Sequence, residues 1–311
     1  MVNVLDQVTG KNFTAMNGDC CELIETLPDE SVGFCVHSPP FASLYVYSDS
    51  ERDMGNCATD EEFFEQYRFF IRSLYAKLKP GRLVSVHCMN LPSTISHNGY
   101  IGIRDFRGDC IRAYEAEGFI YHSEVCIWKD PVVAMQRTKA LGLLHKQVCK
   151  DSSMSRQGIP DYVVTMRKPG KNPDPIEGPF TYFAGESFES TGNLSIDIWQ
   201  RYASPVWMDI RQGRTLNVQE ARSEKDERHV CPLQLDVIER CMQLWSNPGD
   251  VVLSPFMGIG SEGVVSLQMG RKFVGFELKP EYFAVAVKNL RNEERKAGQP
   301  KLFDDAELQP A

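Results

Sequence analysis

Residues 32–36 (Val-Gly-Phe-Cys-Val) form a short apolar run that reads as a buried strand, and the chain then breaks into His37-Ser38-Pro39-Pro40-Phe41. Two successive prolines have fixed φ and no N–H, so a strand must stop there. Their carbonyls remain free to accept hydrogen bonds, with no backbone donor beside them to compete. A hydroxyl, a rigid row of carbonyls and a flat ring at the C-terminal end of a strand can seize a planar NH2-bearing group. The plain alternative is an ordinary Pro-Pro turn with Phe41 filling core.

A second constellation lies near the other end of the chain. Residues 251–253 read as a strand, followed by Ser254-Pro255-Phe256-Met257-Gly258-Ile259-Gly260-Ser261, a helix over 262–269, and a strand over 273–276 that ends in Glu277. Strand, glycine loop, helix, strand and acid make the first βαβ unit of a doubly wound sheet. Gly258 and Gly260 let backbone approach a ligand closely. Glu277 follows Gly258 by nineteen residues, close to the spacing of about 20 at which an acid binds ribose hydroxyls. Two glycines rather than three argue against a pyrophosphate grip and suit S-adenosylmethionine, which has a ribose but no phosphate.

Ser-Pro-Pro-Phe at 38–41, Pro-Phe-x-Gly-x-Gly at 255–260 and Gly-x-Glu at 275–277 together resemble the DNA amino-methyltransferases. The catalytic motif precedes the cofactor motif, with a Pro-x-Gln-led helix between, which is the order of that family's circularly permuted β-class. Asn17-Gly18-Asp19, Leu27-Pro28-Asp29, Leu78-Lys79-Pro80-Gly81, Ile127-Trp128-Lys129 and His229 with Pro232 and Gln234 add to the likeness. It covers about 16–129 and 229–283. The resemblance implies an α/β fold: a doubly wound, mostly parallel seven-stranded sheet with an inserted target-recognition region. It implies S-adenosylmethionine as cofactor and double-stranded DNA as partner, with a homodimer as the family's habit.

The chemistry such an enzyme faces is definite. An exocyclic amine on a base is conjugated with the ring, so its lone pair is a poor nucleophile. The Pro39 carbonyl and the Ser38 side chain are placed to accept its two N–H bonds and aim that lone pair at the methyl group, while Phe41 stacks on the base and Pro40 stiffens the corner. The base must leave the duplex first, because its amine is otherwise paired. The resemblance places Asp19 and Cys20 near the cofactor adenine, Glu277 on its ribose, and His229, Cys231 and Gln234 beside the methionine tail. Ser254, Phe256, Gly258 and Gly260 belong to the same pocket. The family usually carries Asp where this chain has Ser254, which removes a carboxylate near the methionine ammonium; Glu262 or another acid is a candidate substitute. Ser at position 38 goes more often with cytosine N4 than with adenine N6. Both targets stay open, as do a catalytically silent DNA-binding module and a relative acting on RNA or on a protein glutamine.

The composition fits this reading once charge is mapped along the chain. The 311 residues carry a net charge of −8. Residues 135–172 nevertheless hold eight Lys or Arg against two acids, a local +6 that leaves −14 for the rest. A basic segment on an acidic body suits phosphate contact, with Lys146, Lys150 and Arg156 as candidates; a solvated Lys/Arg-rich loop is the alternative. Ten scattered cysteines without a Cys-x-x-Cys pair read as core thiols of a cytoplasmic protein rather than zinc ligands or disulfides. No basic-then-apolar leader and no apolar run of about 18 residues is visible.

Four segments follow: 1–129 as the catalytic half, 130–228 as DNA-contacting insertions with a core strand near 161–168, 229–290 as the cofactor half, and 291–311 as a charged tail expected to fray. Periodicity predicts a short helix over 21–27 and a strand over 11–17. A long helix capped by Asp60 should carry an aromatic stripe at Phe63, Phe64, Tyr67 and Phe70 and end at Lys79-Pro80-Gly81. Strands are predicted over 83–88, 119–128 and 161–166, and a helix over 105–118. His87 alternates with apolar positions and reads as a satisfied core histidine. Residues 42–59 are long enough for a lid.

Overall fold

In the computed structural model of the chain, residues 4–41, 52–93, 99–138, 141–176, 194–217 and 232–297 are described. His229, Cys231 and most of the expected lid, including Tyr45, Tyr47 and Asp49, lie outside them. Strands β1 (Asp6–Thr9), β2 (Phe13–Asn17), β3 (Val32–His37) and β4 (Leu78–Met89) lead from the first half; β5 (Leu91–Ser93) and β6 (Gly102–Arg104) form a small separate hairpin. Then come β7 (Ile120–Ile127), β8 (Asp161–Arg167), β9 (Val206–Trp207), β10 (Val251–Ser254) and β11 (Lys272–Glu277). Nine of these make one sheet in the order β1-β2-β11-β10-β3-β4-β8-β7-β9. The expected seven strands are present, and the edge strands β1 and β9 extend them.

Strands β2, β11, β10, β3 and β4 run parallel. Every residue of β3 is buried, as a parallel strand covered on both faces requires. One face is covered by α1 (Cys20–Leu23), α2 (Asp60–Lys77) and α3 (Phe106–Ala116), whose buried side chains join a core containing Phe63, Tyr67, Phe70 and Ile71. The predicted aromatic stripe of α2 is that core. On the other face α7 (Leu235–Trp245) packs Val237, Ile238, Cys241 and Met242 against Phe34, Val36 and Val252. The helices α8 (Ser261–Gln268) and α9 (Pro280–Ala297) complete the layers. Between β7 and β8 stand α4 (Pro131–Thr138) and α5 (His145–Lys150), and α6 (Leu194–Tyr202) precedes β9.

Several predicted boundaries move for local reasons. Thr59, not Asp60, caps α2: its hydroxyl accepts from Glu62 N at 3.1 Å while Glu62 reaches back to Ala58 N at 2.8 Å, close to a Thr-x-x-Glu capping box. Lys79-Pro80-Gly81 does not form a turn after the helix. It is a bulge inside β4, where 78–83 spans the same register as 32–34 of β3. Pro232 does not open α7, which starts two residues after Leu233 with Gln234 as its cap. Residues 291–297 are the last turns of α9 rather than a frayed tail.

One buried ion pair ties the sheet's N-terminal edge together. The fully buried Arg82 donates to the Gly33 carbonyl at 2.7 Å, to the Asp174 carbonyl at 2.6 Å, and to the carboxylate of Asp250. A Cβ on Gly33 would meet that carboxylate at 2.8 Å. Arg82→Met leaves the Asp250 charge without its partner and should cost about 3–5 kcal/mol, read as a lower urea midpoint. A loss under about 1 kcal/mol would mean that water replaces the arginine.

Candidate active site

The strands β10 and β3 pair in parallel, Val252 with Phe34 and Leu253 with Cys35. From β10 the chain crosses by α8 to β11 on one side; from β3 it crosses by α2 to β4 on the other. The loops after the two strands therefore diverge, and a crevice opens at their C-terminal ends. Ser38, Pro39, Pro40 and Phe41 form one wall of this pocket, and Pro255, Phe256, Met257 and Gly258 form the facing wall. The two motifs that lie more than two hundred residues apart in the chain share one cavity.

The catalytic corner is held from below and from the side. His37, the last residue of β3, is fully buried, and its Nε2 lies 2.7 Å from the Tyr67 hydroxyl, which in turn lies 3.1 Å from that of Tyr114. Burial pushes His37 down to about 3, so the ring is neutral and serves as a fixed post. Phe41 packs against Phe106 with ring centroids 6.0 Å apart. The Ser38 hydroxyl lies 3.2 Å from both Nδ1 and the carbonyl oxygen of His87.

Acids dominate the cofactor side. Asp19, Asp53, Glu262 and Glu277 all line the pocket, with Arg52 and Lys279 at its wall. Glu277 accepts from Gly258 N at 2.7 Å and from Lys279 N at 2.9 Å, which fixes the acid under the glycine loop. Gly258 has φ +53° with open space where a Cβ would stand, so the loop offers bare backbone to a ligand. Burial raises Asp19 despite the hydrogen bond from Cys21 N and the charge of Arg52. Burial likewise lifts Glu262 to about 8 and Glu277 to about 7, the charge of Glu277 adding to the first and that of Asp53 to the second.

Not every residue of the sequence reading reaches the cavity. Cys20 does. Ser254 ends β10 fully buried, its hydroxyl without a hydrogen-bond partner among the described residues, and it is not on the wall. Gly260 is also off the wall: it has φ +92° and sits where a Cβ would come within 3.3 Å of Ala286 on α9, so it serves packing. Gln234 caps α7 and bonds Gln212 at 3.2 Å, while its neighbours Pro232 and Leu233 line the pocket instead. Arg52, Asp53 and Met54 come from the end of the expected 42–59 lid, although the sequence singles out only Arg52 among the three, and Tyr282 arrives from α9 without a sequence signal. Asp19-Cys20-Cys21 could hold an ion by proximity, yet Asp19 already caps α1 by accepting from Cys21 N at 2.9 Å.

The basic segment is placed by the antiparallel step at β8. Because β7 runs parallel to β4, the connection 128–160 leaves and returns at the edge that carries Ser38. Lys146 and Lys150 are exposed one turn apart on α5. Arg156 is half-buried and burial works against its charge. Residues 169–176 pass instead along the opposite edge, where Asp174 meets Arg82. The described cysteines are free thiols, most of them buried. Among the described residues no helix is long and apolar enough to cross a membrane.

The raised acids have a consequence for stability. A carboxyl that holds its proton more tightly when folded contributes fully below its ordinary value near 4.5 and loses that contribution as pH rises through its folded value. The protein without ligand should therefore melt several degrees lower at about pH 8 than at about pH 5. Glu262→Gln should flatten part of that slope in differential scanning calorimetry. An unchanged slope would mean that Glu262 ionises at no cost.

Comparison with known proteins agrees with the geometry. The type II methyltransferase M.BglII of Bacillus subtilis is 24% identical over 281 residues, 89% of this chain and 68% of that protein. M.PvuII of Proteus hauseri is 24% identical over 296 residues, covering 89% of this chain and 83% of that one. The solved PvuII cytosine-N4-specific DNA methyltransferase superposes with a TM-score of 0.54 at 18% identity, over 94% of this chain and 96% of that one. A Thermus thermophilus protein described as a DNA modification methylase, solved with S-adenosyl-L-methionine, gives a TM-score of 0.61 at 20% identity, over 89% and 94%. At such identities the structures share the fold. The sequence model of the DNA methylase family N6_N4_Mtase matches residues 32–288, and this chain is a member of that family.

Proposed function

We propose that the protein transfers a methyl group from S-adenosylmethionine to the exocyclic amine of a base in double-stranded DNA, with cytosine N4 as the target. The observation that carries this is the shared cavity: a Pro-Pro corner able to accept two N–H bonds faces a pocket walled by four carboxylates. Burial raises three of those acids, so the pocket favours a cationic guest that relieves the cost of their ionisation. S-adenosylmethionine, when bound, supplies an electrophilic methyl on a sulfonium, and it carries an ammonium and a ribose as further handles. Glu277 under Gly258 is placed for the ribose hydroxyls. Glu262, in the first turn of α8, stands in for the carboxylate that Ser254 lacks. Asp19 and Cys20 close the adenine end.

On the other wall the Pro39 carbonyl and Ser38 Oγ accept from the amine, and Phe41 supplies a flat face. Holding the nitrogen in line with the methyl is worth more than any acid–base step in a direct displacement. The amine of a base is paired inside the duplex, so the target base leaves the duplex to reach the corner. The basic connection 128–160 overhangs the same edge and supports a role in gripping phosphates. A regulatory module without catalysis would not need the amine-accepting corner and the acid-walled pocket to share a cavity.

S-adenosylmethionine at about 100 times its Kd should stabilise the protein by about 2.7 kcal/mol, and Glu277→Ala should remove most of that shift. Nucleoside mass spectrometry of DNA treated with protein and S-adenosylmethionine should show N4-methylcytosine. N6-methyladenine alone would move the target to adenine and leave the site standing; no methylated base and no thermal shift would overturn the assignment. Replacing Lys146, Lys150 and Arg156 with Gln should lower the slope of log affinity against log salt by about one unit per lost phosphate contact. An unchanged slope would place the DNA elsewhere.

A further inference from the structure

The register of β3 against β4 brings a second set of groups to the catalytic corner. His37 pairs with Val86, so Ser38 stands level with the next residue of β4, His87. On β4 and β8, His87 lies opposite Val163 and Met89 opposite Asp161, which puts the His87 and Asp161 side chains on one face at a diagonal position. Ser38 Oγ is 3.2 Å from His87 Nδ1, and Asp161 Oδ2 is 3.3 Å from His87 Nε2. That last contact is close enough for charge but poorly aligned, and Nε2 has no other hydrogen-bond partner among the described residues. Lys129 donates to the other oxygen of Asp161. His87 is 9% exposed and Asp161 3%.

We propose that Ser38, His87 and Asp161 form a relay that removes the proton released by amine methylation. This rests on the amine-methyltransferase reading of the site. When the nitrogen–methyl bond forms and the sulfur–methyl bond breaks, the positive charge passes to the nitrogen, which then holds one proton too many. That N–H bond breaks with its electron pair remaining on nitrogen. The proton goes to Ser38 Oγ as the hydroxyl's own proton passes to His87 Nδ1. The imidazolium so formed faces the Asp161 carboxylate and later gives its proton to water. Product and protein are then both restored.

The direction of the relay follows from Asp161. Burial alone would raise this acid, but His87 and Lys129 outweigh it and hold the carboxyl below its usual range. A carboxylate 3.3 Å from Nε2 favours the Nε2–H tautomer, which leaves the Nδ1 lone pair toward Ser38. The Ser38 O–H is then directed to His87, through Nδ1 or the carbonyl, and its oxygen lone pairs are left for the amine. Ser38 is thereby fixed as an acceptor toward the base. The order of nitrogens is the reverse of a hydrolytic triad, where Nε2 meets the serine. Hydrolysis is excluded on another ground: the two residues after Ser38 are prolines with no N–H, so this turn has no oxyanion donor.

His87 and Asp161 act through Ser38, so they are positioning residues, and the test needs readouts beyond rate. His87→Asn keeps an acceptor near the Nδ1 position but cannot carry the proton. It should retain the thermal shift with S-adenosylmethionine and the KM for DNA, while single-turnover methylation slows about 10²–10⁴-fold, the range for a lost general base. Asp161→Asn should slow the reaction less. It should also change the tautomer of His87, read from 15N-histidine spectra in which the unmutated protein shows Nε2–H with Nδ1 bare. Full rate in His87→Asn, or an Nδ1–H tautomer in the unmutated protein, would overturn the relay. Neither outcome touches the methyltransferase reading, which fails only if the unmutated protein methylates no DNA amine. If His87→Asn melts early, the tautomer in the unmutated protein still decides the relay.

Discussion

The pairing of Val252 and Leu253 with Phe34 and Cys35 is the constraint on which the site depends. Two parallel strands joined by right-handed crossovers on opposite sides cannot keep their outgoing loops together. The crevice is thus a product of topology, and the side chains at its mouth are those that follow each strand. One loop brings a hydroxyl and two proline carbonyls, the other brings bare glycine backbone above a carboxylate. Because geometry rather than chain order creates the crevice, the motifs can occur in either order. The buried Arg82 reaches the Gly33 carbonyl and the Asp250 carboxylate. It thereby holds β4, the start of β3 and the approach to β10 in register from the opposite edge.

Electrostatics divides the molecule in two. The acids round the cofactor side are costly to ionise without a cation, so ligand and protein complete each other's charge. The catalytic side works with neutral acceptors. His37 is kept uncharged by burial, and under the proposed function the Ser38 hydroxyl and the Pro39 carbonyl would accept from an amine there. Exposed Lys146 and Lys150 sit apart, on the connection between β7 and β8. A chain with net negative charge can thus carry a locally basic segment, the one proposed to meet DNA.

Much of this was legible in the residues. Apolar runs, the proline break and the two-glycine loop depend on local physics: proline cannot extend a strand, and glycine alone reaches positive φ cheaply. The aromatic stripe of α2 and the Gly258–Glu277 pairing follow from such local signals, while the doubly wound order and the pocket position of Ser38 to Phe41 came with the family resemblance. Gly260 shows the limit. Its spacing is that of a ligand loop, yet what it permits is the close approach of α9 at Ala286. Ser254 and Gln234 fail similarly, since a residue adjacent to a motif can point into the core or cap a helix.

The sequence by itself determined the seven core strands and the identity of the two motif walls, because each is dictated within a few residues. Only the tertiary structure decided which distant side chains meet those walls. Asp53, Met54 and Tyr282 join the pocket through loop and helix placement. His87 looked like a core histidine because it alternates with apolar neighbours. Its contact with Ser38 depends on β3–β4 register, and its contact with Asp161 depends on an antiparallel strand more than seventy residues later. Register across a sheet is a long-range property, set by how whole faces pack, and no local pattern in the chain records it.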